Sequence, residues 1–197
     1  MSHLSLTPST ELEAVNEMLR AVGESPVNTI SGTVTTDVTI ALGILSAVNR
    51  AVQSKGWHFN TDYNVVLSRD TSNEIVLGAS IMSFTSPTRD LAIRGGKLYD
   101  RVTRGTTFTT NITDARTITL LEFEDLPEVA RLYITEVCKR DIQQEVLGEV
   151  AADQRNRETE MKAWAALVDD ESMRSKANMG TGTSDMFYIT RKDRFVI

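Results

Sequence analysis

The chain has 197 residues, 41% of them hydrophobic, and 21 Lys and Arg against 27 Asp and Glu give it a formal charge of −6. That length supports one substantial core, or two small lobes sharing one. The acidic balance excludes a nucleic-acid coat that works by neutralising phosphate, but not a passage through which DNA slides without sticking.

A single cysteine, Cys138, excludes an intramolecular disulfide, and its helical surroundings at Ile134 and Val137 suit a small buried apolar residue better than a reactive thiol. No run approaches the roughly 20 apolar residues of a membrane span, and the first residues lack the basic and apolar blocks of a signal peptide. The sequence therefore predicts synthesis and folding in a reducing cytoplasm, and no membrane partner.

Taken in order, residues 1–8 read as a loose leader. Thr10 and Glu13 have the spacing of a capping box, opening a first helix with a stripe of Leu12, Val15, Leu19 and Val22 that Gly23 closes. Residues 27–36, rich in Thr, Ser and Gly, read as a loop. A second helix over 37–55, capped by Thr36 or Asp37, carries Ala41, Ile44, Leu45, Val48 and Val52 on one face and Asn49, Arg50 and Gln53 towards the other. Gly56 ends it. The period then shifts from 3.6 to 2, so 57–60 reads as strand with Trp57 and Phe59 on one side and His58 and Asn60 on the other, continued by Tyr63, Val65 and Leu67. Trp57 and Phe59 are the expected core junction between a helical and a β layer.

Five or six strands are predicted between Trp57 and Phe123. The clearest pairing is 91–94 with 97–101 across Gly95 and Gly96, which supply the positive φ angles of a tight hairpin; the last strand is placed at 117–123. The threonine-rich 103–113 stretch reads as exposed or as partner-contacting. Pro127 opens a third helix whose apolar face is Ala130, Tyr133, Ile134, Val137, Cys138 and Ile142, and Gly148 closes it. A fourth, from about 150 to 177, starts charged and becomes apolar at Met161, Trp164, Ala165 and Val168. After a Gly/Thr linker, Phe187, Tyr188, Arg191, Lys192, Arg194, Phe195 and Val196 make an aromatic, basic ending suited to docking on an acidic protein surface. The expected class is α+β. A four-helix bundle (1–56 and 125–180) carries a β-rich insert (57–124) of antiparallel strands or a sandwich between helices 2 and 3, with an extended C-terminal tail (181–197).

Chemistry is scarce. No phosphate-cradling GxxxxGK[ST] or GxGxxG run occurs. His58, between Trp57 and Phe59, suits a sheet surface better than a catalytic role. Glu122, Glu124, Asp125 and Glu128, and separately Asp169, Asp170 and Glu171, would give a glycan hydrolase its carboxylates. Both groups also suit a helix start or an exposed helix face. No catalytic, cofactor-binding or metal-ligating residue is assigned.

The runs Glu11-Leu12-Glu13-Ala14-Val15-Asn16 and Ala21-Val22-Gly23-Glu24-Ser25-Pro26-Val27, and above all Val48-Asn49-Arg50 leading to Gln53-Ser54-Lys55-Gly56-Trp57-His58-Phe59-Asn60, carry a resemblance. So do Arg94-Gly95-Gly96-Lys97-Leu98-Tyr99-Asp100-Arg101 and Leu126-Pro127-Glu128. Through these the chain resembles the tail tubular protein A family, head-to-tail adaptors of short-tailed, autographivirus-type phages. The resemblance implies a virion protein of the tail, a dodecameric ring between the portal and the tail nozzle protein (tail tubular protein B), with tail fibres nearby and double-stranded DNA passing through the lumen during ejection. It implies a helical bundle bearing a β domain, with long helices side by side around the ring. An added peptidoglycan or capsule glycan hydrolase activity is the alternative. The charged helix at 155–160 is the candidate for a lumen-facing or fibre-binding surface.

Overall fold

The computed structural model describes residues 8–148 and 153–178. Helix α1 (Glu11–Ala21) starts at the predicted capping box: Glu13 N donates to Thr10 Oγ1 at 3.2 Å and Thr10 N donates to Glu13 Oε2 at 3.0 Å. It ends in a Schellman turn. Gly23 sits at φ +85°, its N–H donates to Arg20 O, and Glu24 N donates to Leu19 O. The buried stripe is Ala14, Val15, Met18 and Leu19, rotated from the predicted one, with Leu12 and Val22 half-buried at its margins.

Helix α2 (Thr36–Gln53) is capped by Thr35, one residue before the predicted candidates. Ala41, Leu45, Val48 and Val52 are buried as the spacing requires. Gln53 is the correction on this helix. It is fully buried on the core side, not turned towards solvent with Arg50.

The predicted strand at 57–60 is instead a turn. Asn60 N donates to Trp57 O, and Asn60 Oδ1 accepts from Trp57 N at 2.8 Å, so the side chain closes the loop from the inside. Strands β1 (Thr61–Leu67), β2 (Ile81–Thr85), β3 (Leu91–Arg94), β4 (Lys97–Asp100) and β5 (Ile112–Thr119) follow. An antiparallel three-stranded sheet runs β1-β5-β2, and β3 and β4 form the predicted Gly95-Gly96 hairpin. The last strand thus begins five residues before its predicted start and ends at Thr119. The pairing moves from Asp62↔Thr117 to Val65↔Ala115, which inserts one extra residue in β1, and Asn64 takes φ +55° there. That bulge breaks the expected alternation: Tyr63 is exposed, while Val65 and Leu67 lie against a small core of Ile75, Leu77, Phe84, Leu98, Phe108 and Ile112. Phe108 and Ile112 are therefore buried within the stretch expected to be exposed.

A 3-10 turn (Phe123–Asp125) returns the chain to α3 (Glu128–Leu147), which Gly148 ends at φ +65°. Helix α3 is central, touching α1, α2 and α4 (Asp153–Asn178). Ala130, Ile134, Val137, Cys138 and Ile142 are buried along it, with Tyr133 half-buried. Burial pushes the Cys138 thiol far above its usual range, so it is an inert core group. Helix α4 rests on α3 through Trp164 and fully buried Leu167, worth about 1.5–3 kcal/mol for such a side chain. Of the apolar residues read on this helix, Trp164 packs against the core, while Met161, Ala165 and Val168 lie exposed beside that face. The facing of a helix this polar is set by which neighbour it meets, which its own spacing does not encode.

Candidate interaction surfaces

Two chain crossings join the helical layer to the β layer: the exit at 53–61 and the return at 118–128. Both are fastened by side chain to main chain bonds. At the exit, Gln53 Nε2 donates to Leu121 O at 2.9 Å and Gln53 Oε1 accepts from Leu121 N at 2.8 Å. Asn60 Nδ2 donates to Gln53 O and to Thr119 O. At the return, the Arg131 guanidinium donates to three carbonyls: Leu126 O at 2.8 Å, Ser9 O at 2.7 Å and Glu124 O at 2.7 Å. Glu128 accepts from Ser9 N and Ser9 Oγ. Gln53 and Asn60 are buried, so breaking their bonds leaves a desolvated polar group, and they fix orientation at the exit.

Around this joint stands an aromatic cluster. Trp57 is 1% exposed, its Nε1 donates to Val52 O at 2.7 Å, and its ring lies parallel to that of Phe59 with centroids 6.3 Å apart. Trp164 of α4 meets Trp57 edge-on at 5.6 Å and Tyr133 at 5.1 Å, while Lys55 Nζ lies 4.8 Å over the Trp164 ring. Gly56, at φ +70°, is needed twice, since a Cβ there would come within 2.6 Å of Ile118 Cδ1.

His58 ties α4 to the same turn. Its backbone N donates to Glu171 Oε2 at 2.8 Å, its Nδ1 lies 2.8 Å from the same oxygen, and its Nε2 is 3.6 Å from Asp170 Oδ2. The histidine is therefore an interlayer tether and not a sheet-surface residue. Glu171 and Asp170 are taken up by it and, for Asp170, by Arg174.

The other carboxylate group is divided: Glu128 holds Ser9, while Glu124 and Glu122 lie near Glu11, whose carboxyl is raised first by burial and then by those two charges. Among the described residues no group of three or more His, Cys, Asp or Glu is arranged to hold a metal ion. No helix among them is long and apolar enough to cross a membrane. In the charged start of α4, Glu160 accepts from Arg140 of α3, and Arg157, Glu158 and Thr159 are exposed. The predicted docking residues Phe187, Tyr188, Arg191, Lys192, Arg194, Phe195 and Val196 lie outside the described residues.

Sequence reasoning missed Gln53, Asn60 and the His58–Glu171 tether. Gln53 and His58 have partners remote in the chain, Leu121 and Glu171 being 68 and 113 positions away, while Asn60 bonds both nearby Trp57 and distant Thr119. The signal that was present is the Asn60 that follows the glycine-ended helix, a residue type that closes turns.

No curated protein gives a significant match to the chain. The profile of a protein family described as tail tubular protein matches residues 12–177, spanning all four helices and the whole β insert. The chain belongs to the tail tubular protein family and is a structural protein of a phage tail.

Proposed function

We propose that this protein is the head-to-tail adaptor of a short-tailed, autographivirus-type phage, of the tail tubular protein A kind. Twelve copies form a ring between the portal and the nozzle protein, and double-stranded DNA crosses its lumen during ejection without sequence-specific contacts. The observation that carries the reading is the family match over 12–177 on a chain whose two crossings between layers are tied by Gln53 to Leu121 and by Arg131 to Glu124. A two-layer subunit can offer its helices to one neighbour and its β layer to another. Weak contacts repeated around a ring then sum to a stable assembly once a template fixes the geometry.

The acidic balance of the chain suits a conduit, because a wall that does not neutralise phosphate does not retain DNA. The 181–197 tail, with Phe187, Tyr188, Phe195 and Val196 among Arg191, Lys192 and Arg194, is assigned to the portal or an adjacent subunit. Deleting residues 182–197 tests this. The truncated chain should keep the thermal unfolding of the full chain and fail to co-elute with the portal, whereas co-elution at full strength would remove the tail from the account.

A further inference from the structure

The 101–104 loop is held in shape by Asp100. Asp100 Oδ1 accepts from Val102 N at 2.8 Å and from Thr103 N at 3.2 Å, and Asp100 N donates to Gly105 O. The hydrogen-bonded carboxyl of Asp100 is held below its usual range by those two backbone amides. Arg104 takes φ +56° to complete the turn. The result presents Val102, 78% exposed, between Arg104 and Arg101 in the chain, the Arg101 guanidinium lying 3.3 Å from Asp90 Oδ1 at the exposed edge of the hairpin. A loop already held in shape loses little entropy on binding.

Its charge is opposite to that of the rest of the molecule. Residues 89–104 hold five basic side chains and two acidic ones, a net of +3 in a chain of −6, so the remainder carries −9. On that remainder, α4 shows an apolar strip that its own subunit leaves open: Met161 at 70% exposed, Ala165, and Val168 at 38%. Glu158 and Asp169, both exposed, lie along the outer side of the strip at helical spacing, with exposed Lys162 beyond them and exposed Arg157 one turn before Met161. An apolar knob between arginines matches an apolar strip whose outer border carries two carboxylates.

We propose that the 101–104 loop of one copy docks on the Met161–Ala165–Val168 strip of a second copy, with Val102 on the strip and Arg101 and Arg104 facing Glu158 and Asp169. The two surfaces are different, so the contact is heterologous, the kind that propagates around a ring. The inference rests on the ring reading above and adds to it which faces meet.

The test uses the full chain carrying both Val102→Cys and Ala165→Cys, treated with a short bis-maleimide, alone and with its portal. The inert Cys138 does not compete. A ladder of cross-linked oligomers is expected from the double variant and not from either single variant, falling about tenfold when Arg101→Glu and Arg104→Glu are added. No ladder from a sample that light scattering shows to be assembled would overturn this contact and leave the ring standing. Neither ladder nor assembly would overturn both. Absence of a ladder, with duplex DNA retention lost on Arg101→Glu and Arg104→Glu, would overturn it by giving the loop to DNA.

Discussion

Gln53 and Leu121 are joined twice, the amide nitrogen of Gln53 donating to the Leu121 carbonyl at 2.9 Å and its amide oxygen accepting the Leu121 N–H at 2.8 Å. A side chain here does what a neighbouring strand would do for the returning backbone. The pairing needs one donor and one acceptor in the same buried group, which glutamine supplies and glutamate does not.

Gln53→Glu is therefore expected to destabilise the protein although it changes almost no volume. It places an acceptor against the Leu121 carbonyl and a carboxyl in a dry site, at about 2–3 kcal/mol by the usual cost of an unsatisfied buried group. Burial raises the folded-state pKa of the new carboxyl, so the variant should regain stability as pH falls through it. Urea unfolding at two pH values checks both parts, and a midpoint equal to that of the wild type would show that the double bond is dispensable.

Trp57→Ala removes the ring that Phe59, Trp164 and the Val52 carbonyl surround, and is expected to cost about 3–5 kcal/mol. Gly56→Ala should cost less, about 1–2 kcal/mol from the left-handed backbone, plus whatever displacement of Ile118 requires. Thermal unfolding of the two variants orders them. An unaltered Trp57→Ala protein would make Trp57 a partner-contacting residue instead of the anchor of the joint.

The two layers answer acid with opposite signs at specific carboxyls. In the β layer, Asp114 is lowered first by its Thr88 hydrogen bond, and Glu74 first by its hydrogen bond to Lys97. Depressed folded-state values mean stability that is present above the ordinary carboxylate range of about 4 and is lost as pH falls through the folded values. Asp114→Asn should flatten that acid loss. Glu11 is raised, so its sign is reversed: Glu11→Gln should increase the melting temperature at neutral pH, an advantage that fades as the wild-type carboxyl becomes protonated. Melting curves from neutral to acidic pH test both, and a Glu11→Gln protein less stable at neutral pH would contradict the assignment.

Much of the fold was legible where one local rule decides. The Thr10–Glu13 box, the Gly95-Gly96 hairpin and the Gly148 stop were each readable from a few adjacent residues. The joint was not. Aromatic and polar residues alternating at 57–60 mimic a strand, and that pattern masks the local bond from Trp57 N to the Asn60 side chain that folds them into a turn. Gln53 looks like a solvent residue on a helical wheel because the backbone that satisfies it arrives 68 residues later. The bulge at Asn64 shifts the phase of β1, and α4, polar nearly all round, buries Leu167 and half-buries Trp164 while Met161, Ala165 and Val168 stay exposed.

The adaptor ring is tested most directly by imaging the full chain after mixing with its cognate portal and reading the rotational symmetry of the particles by electron microscopy. A twelvefold ring of this protein, coaxial with the portal, is the predicted result. Portals without an added ring, or a chain bound with no closed symmetry, would contradict the adaptor account while leaving its place among phage tail proteins intact.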